Sequence, residues 1–133
     1  QGITVTGNVI SHSLDSGILL ANTTDSTVTG NVIHHVLQGI YISSSSDNNT
    51  ITGNNVYEGQ SGNSYGIMIY KSSNYNIFTA NRIRAMKYGI KELSGDYNVI
   101  VSCTVTDCST VNILVSGANT KCNLSYNGTS WIG

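Results

Sequence analysis

The chain has 133 residues and no proline, and its six basic and seven acidic side chains give a formal net charge of −1. So sparse and balanced a charge excludes the basic stripe that a nucleic-acid binder needs. No apolar run reaches the length of about 18 residues that a membrane span requires, and no charged segment followed by an apolar one opens the chain as a secretion signal would.

Read in order, the chain opens on Ile3-Thr4-Val5-Thr6, an alternating pattern of β-branched residues that predicts a short strand. Gly7-Asn8 is a turn, Val9-Ile10 a second short strand, and Gly17-Ile18-Leu19-Leu20 a third. The same three pieces then return. Thr6-Gly7-Asn8-Val9-Ile10 recurs as Thr29-Gly30-Asn31-Val32-Ile33, as Thr52-Gly53-Asn54-Asn55-Val56 and as Thr79-Ala80-Asn81-Arg82-Ile83, then degrades to Ser102-Cys103-Thr104-Val105 and Ser125-Tyr126-Asn127. Positions 8, 31, 54, 81, 103 and 127 are spaced by 23, 23, 27, 22 and 24 residues. Gly17-Ile18, Gly39-Ile40, Gly66-Ile67, Gly89-Ile90 and Asn112-Ile113 keep the same beat. A period in the twenties marks a solenoid. Leucine is too sparse for a leucine-rich repeat, and three strands per period without a helix predict an all-β fold. That fold is a right-handed parallel β-helix of about five coils of 22–27 residues, one domain over 1–133.

Stacked coils turn the repeat into columns spaced by about 4.8 Å. Three columns are predicted to face inward: Val5-Val28-Ile51-Phe78-Ile100-Leu124, Ile10-Ile33-Val56-Ile83-Val105 and Ile18-Ile40-Ile67-Ile90-Ile113. Asn8, Asn31, Asn54 and Asn81 are expected at a bend, each amide bonded to the next, with left-handed backbone that asparagine tolerates. The column Gly17, Gly39, Gly66, Gly89, continued by Asn112, suggests positive φ there too. Cys103 replaces the ladder asparagine, Cys122 is expected in the column of Asn49, Asn76 and Asn98, and Cys108 lies past a strand; three thiols allow at most one internal disulfide. Sequons stand at Asn22, Asn48, Asn123 and Asn127. Glu92 aligns with Leu20, Ile42 and Ile69 in a core column, where an unpaired charge is costly, so a shift is expected that turns Leu93 inward and Glu92 outward.

The pattern Gly-Asn-x-Ile, Gly-Ile-x-Ile/Leu, Asn-x-Ile-x-Gly-Asn resembles the NosD-like and pectate-lyase-like β-helix superfamily over essentially the whole chain. That resemblance implies the fold. It also implies a range of roles: polysaccharide lyases, glycoside hydrolases, sugar epimerases, tailspikes and periplasmic accessory proteins. The Asp-Pro-His-Asp type of epimerase site is absent, since there is no proline, and Asp15, Asp25, Asp47, Asp96 and Asp107 fall in different coils. Glu58 and Glu92, the only glutamates, are the remaining acid candidates for hydrolysis or elimination, but they count to different corners, which argues against a pair.

Three constellations stand out. His12, His35 and Glu58 each lie four residues past the ladder asparagine of their coil, so they share a column; a polar turn explains it, and these three would hold a transition metal if one were bound. No cofactor is called for. Thr4-Val5-Thr6, Thr27-Val28-Thr29 and Thr50-Ile51-Thr52 resemble the threonine arrays of ice-binding solenoids, but the array fails at Ile77 and Val99. On the third strand the outward row reads Leu19, Tyr41, Met68, Lys91 and Leu114, flanked by Tyr65, Tyr70, Lys71 and Tyr88. The corner before it carries the one insertion, Glu58-Gly59-Gln60-Ser61-Gly62-Asn63-Ser64. By resemblance this face is where a polysaccharide would lie, and tyrosine suits sugar stacking. Its apolar members equally suit a subunit contact.

The first coil shows no cap, and Trp131 and Ile132 are expected to fold over the last. The sequence therefore suggests a structural or glycan-binding module, extracellular, on a cell surface or on a virion like a tailspike. Such a module would form a homo-oligomer, stack on further chain or belong to a longer protein. The alternative is a polysaccharide-processing enzyme working on the face after the glycine column.

Overall fold

The computed structural model describes residues 2–60, 62–123, 125–126 and 130–132, with the backbone alone of Ser125, Trp131 and Ile132. The first coil carries β1 (Thr4–Thr6), β2 (Val9–Ser11) and β3 (Ser16–Ala21), and the second β4 (Thr27–Thr29), β5 (Val32–His34) and β6 (Gln38–Ser43). The third has β7 (Thr50–Thr52), β8 (Asn55–Tyr57) and β9 (Tyr65–Ile69), and the fourth β10 (Ile77–Thr79), β11 (Arg82–Arg84) and β12 (Tyr88–Glu92). The fifth has β13 (Val99–Val101), β14 (Thr104–Thr106) and β15 (Val111–Leu114), followed by β16 (Lys121–Asn123), β17 (Ser125–Tyr126) and β18 (Trp131–Ile132). Equivalent strands pair in parallel into three sheets, β1-β4-β7-β10-β13-β16, β2-β5-β8-β11-β14-β17-β18 and β3-β6-β9-β12-β15. Among the described residues, only β17 and β18 pair antiparallel. This is the parallel β-helix that the repeat predicts.

Registers match the predicted columns: Val28↔Ile51, Ile51↔Phe78 and Phe78↔Ile100 on the first wall, Ile33↔Val56, Val56↔Ile83 and Ile83↔Val105 on the second, Ile40↔Ile67 and Ile67↔Ile90 on the third. All of these side chains are buried, each stabilising the fold by about 1.5–3 kcal/mol. Val5 and Ile10 are only partly buried, because the first coil has a neighbour on one side.

The asparagine ladder forms through its amides: Nδ2 of Asn8, Asn31 and Asn54 each donates to Oδ1 of the next asparagine at 3.0 Å. A parallel ladder runs through Ser26, Asn49, Asn76 and Asn98. Two conformational expectations are corrected. Left-handed backbone falls one residue earlier, at Gly7, Gly30, Gly53, Ala80 and Ser102, with φ between 52° and 66°. Gly17, Gly39, Gly66 and Gly89 do not have positive φ; they are small because the next wall is close. A Cβ on Gly17 would stand 2.6 Å from Ile33 Cγ2 and 2.9 Å from Gly39 O, and one on Gly39 would strike Val56 and Gly66.

The last coil also departs from expectation. Ile100 pairs with Cys122, so the thiol extends the first inward column, and Thr120 ends the ladder by accepting the Asn98 amide at 3.2 Å. Thr104 pairs with Tyr126, which makes Ser125 the equivalent of Cys103. Leu124, Asn127, Gln1 and the side chains of Trp131 and Ile132 lie outside the described residues.

Glu92 is the largest correction. It stays in register with Ile69 and is 0% exposed, while Leu93 is 42% exposed. Three donors make this burial tolerable: Asn98 Nδ2 and Thr120 Oγ1 reach Oε1 at 2.7 and 2.8 Å, and the Gly117 amide reaches Oε2 at 2.8 Å.

Candidate metal centre

The corner after the second strand of each coil is left-handed in all five coils, at His12, His35, Glu58, Ala85 and Asp107, with φ between 53° and 59°. That shared backbone aims the side chains along one edge. His12 and His35 stack with ring centroids 5.0 Å apart and planes 4° from parallel, and His35 Nε2 lies 3.5 Å from Glu58 Oε2. The column expected from the repeat is therefore assembled.

Sequence reasoning missed His34. It ends β5 one residue before His35, and strand alternation sends it outward onto the same edge. Its Nδ1 stands 2.8 Å from His35 Nδ1. The adjacent histidine pair at a strand-to-corner junction was the available signal. One donor atom from each of His34, His35 and Glu58 falls within 4.8 Å of the others, with the His35 and Glu58 side chains about half exposed. His34 is itself held: Tyr57 stacks on it at 5.1 Å, and the Arg84 guanidinium caps Tyr57 at 4.7 Å.

Imidazole nitrogens and one carboxylate suit borderline divalent ions such as Cu(II), Ni(II) and Zn(II). The Nδ1 atoms of His34 and His35 are hydrogen-bonded to each other at 2.8 Å, one donating and the other accepting, so a bound ion would take the place of the shared proton.

Gln60, also unforeseen, braces this corner from the insertion. Its Nε2 donates to Ser13 O at 3.1 Å and His35 O at 3.0 Å, and its own amide donates to Val36 O.

The other candidates sit elsewhere. On the third wall Leu19, Tyr41, Met68, Lys91 and Leu114 do form one row. The apolar stripe is broken, however: Met68 is only 8% exposed and Lys91 is a cation, which leaves Leu19 at 53% and Leu114 at 43% as separate patches. Tyr65 and Tyr88 stack at 5.0 Å, and Lys91 Nζ lies 4.0 Å over Tyr88 and 5.5 Å over Tyr65. Burial first, and then Tyr88, push the Tyr65 hydroxyl pKa above its usual value. Tyr70 and Lys71 follow β9, with Lys71 Nζ 6.0 Å from the Tyr70 ring. Glu58 stands at an outer corner and Glu92 inside the coil, so the structure does not bring the two glutamates together.

The family model described as "Periplasmic copper-binding protein (NosD)" matches residues 1–128. The chain belongs to that family. No curated protein and no solved structure gives a match. Membership in the NosD family and the three-sheet solenoid fit a structural or binding module, and among the described residues no helix is long and apolar enough to cross a membrane.

Proposed function

We propose that this NosD-family β-helix is a metal-binding module of the cell envelope, and that it takes a divalent ion, Cu(II) by preference, at the His34, His35 and Glu58 corner. The observation that carries this reading is the convergence of one donor atom from each of His34, His35 and Glu58 to within 4.8 Å of the others. The family's description, a periplasmic copper-binding protein, supports both the metal and the compartment; nothing in it favours a virion. Here His34 and His35 are the nitrogen donors, Glu58 supplies charge-compensating oxygen, and His12 stacks on His35 to hold its ring. Bound copper would be held in a storage or delivery role; the residues around the corner include no acid pair for group transfer.

Calorimetric titration of chelator-treated protein with Cu(II) and Zn(II), with electron paramagnetic resonance of the copper form, tests the reading. One equivalent of Cu(II) binding more tightly than Zn(II), nitrogen hyperfine structure, and at least about tenfold weakening in the His34→Gln, His35→Gln double variant are expected. Absence of heat, or affinity unchanged in that variant, would refute it.

A second reading rests on the third wall. The stacked Tyr65 and Tyr88 rings with Lys91 over both make an aromatic and cationic platform suited to an acidic glycan. Tyr65→Ala should abolish oligosaccharide binding there and leave copper binding intact. Leu19 and Leu114 are the residues through which self-association or packing on further chain would run, and light scattering on Leu19→Lys tests that.

A further inference from the structure

The metal-corner column continues into a cleft. After Glu58 its next member is Ala85, which leaves room where the other coils carry a long side chain, and beyond it is Asp107. The cleft has a volume of about 390 Å³, within the range of small-ligand sites, and is bounded by Gln60, Ser64, Ala85, Met86, Lys87 and Asp107. Met86 is its buried apolar floor. The insertion wall is fixed in advance by the three bonds of Gln60, and Gly59 lets Ser64 close against it, since a Cβ there would strike the Ser64 side chain and come within 3.0 Å of Met86 Cε.

Its charges are opposite and uncommitted to each other. Lys87 Nζ is held by Asn63 Oδ1 at 2.6 Å and lies 5.6 Å over the Tyr88 ring; among the described residues the one ion pair is His35 with Glu58, so Lys87 and Asp107 do not pair with each other. Ser64 is buried, and its hydroxyl accepts the Lys87 amide at 2.9 Å. An ammonium, a hydroxyl and a carboxylate thus line one small cleft. A ligand carrying a single charge would leave one side unmatched, whereas a zwitterion meets both.

We propose that this cleft binds a small α-amino acid, its carboxylate toward Lys87 and Ser64 and its ammonium toward Asp107. The site is separate from the metal donors and does not require the metal reading to hold. Calorimetry on chelator-treated protein with glycine and L-serine, with acetate and methylammonium as single-charge controls, tests it. Saturable heat is expected for the amino acids, at least tenfold weaker binding of the controls, and at least tenfold loss in each of Lys87→Met and Asp107→Asn, both surface changes that leave the circular dichroism spectrum unaltered. The His34→Gln, His35→Gln variant should bind amino acid as the parent does. No saturable heat at millimolar amino acid, acetate binding as tightly as glycine, or either cleft variant binding unchanged would overturn the proposal.

Discussion

Replacing Asn54 by alanine tests what the internal ladder contributes. Oδ1 of Asn54 accepts both the amide and the Nδ2 of Asn31 at 3.0 Å, while its Nδ2 donates to Val28 O, Thr52 O and Asn81 Oδ1 at 3.0, 3.2 and 3.0 Å. Asn54 and Asn31 are buried, so after truncation the Asn31 amide loses its acceptor where water cannot replace it, while Asn31 Nδ2 keeps Val5 O and Thr29 O. At about 1–3 kcal/mol for the unsatisfied amide and about 1 kcal/mol for the bonds that Asn54 Nδ2 no longer donates, the loss comes to about 2–4 kcal/mol. That is a large share of the 5–15 kcal/mol typical of a whole domain. Asn8 is the control. It is exposed, and among the described residues its Nδ2 donates to Thr6 O and Asn31 Oδ1, so Asn8→Ala should cost about 0.5–1 kcal/mol. Urea unfolding by circular dichroism, with the midpoint and slope fitted for both variants, measures the difference. A gap below about 1 kcal/mol would mean that the ladder is incidental to stability and that the apolar columns alone hold the coils.

Gly39→Ala should lower the urea midpoint by the equivalent of about 1–3 kcal/mol, because the new methyl meets Gly66 and Val56 across a wall that cannot retreat; an unchanged midpoint would disprove the close approach. Glu92→Leu restores the apolar column but strips Gly117, Thr120 and Asn98 of an acceptor, so thermal unfolding should rank parent above Glu92→Gln above Glu92→Leu; a Leu variant hotter-melting than the parent would show that Glu92 is kept for a purpose other than stability. The Asn119 side chain, then its amide, hold the Asp96 carboxyl below the usual carboxylate range, so the folded state releases this proton more readily than the unfolded one. The resulting stabilisation is present at neutral pH and fades as pH falls through the lowered folded value. Asp96→Asn should therefore flatten the acid limb of a stability-against-pH curve, and an unaltered limb would contradict the assignment.

The coil number, the three walls and the inward columns were legible in the sequence because a solenoid copies its one-dimensional repeat into space: what recurs every twenty-odd residues must stack. The shared edge of His12, His35 and Glu58 followed for the same reason. Within-coil detail did not follow. Glycine serves both at left-handed corners, as at Gly7, where Ala80 and Ser102 stand in later coils, and at contacts with the next wall, as at Gly39, and residue identity alone does not separate the two. Glu92 was expected outside because burial of a lone carboxylate is costly, and only the tertiary structure supplies Asn98, Thr120 and Gly117 as its partners from positions 6, 28 and 25 residues away. His34 joins the metal corner through a strand end meeting a turn, and Gln60 braces it from an insertion outside the repeat. Periodicity determines which residues share a column; whether two columns touch at a corner depends on side-chain direction and loop path, which the repeat does not encode.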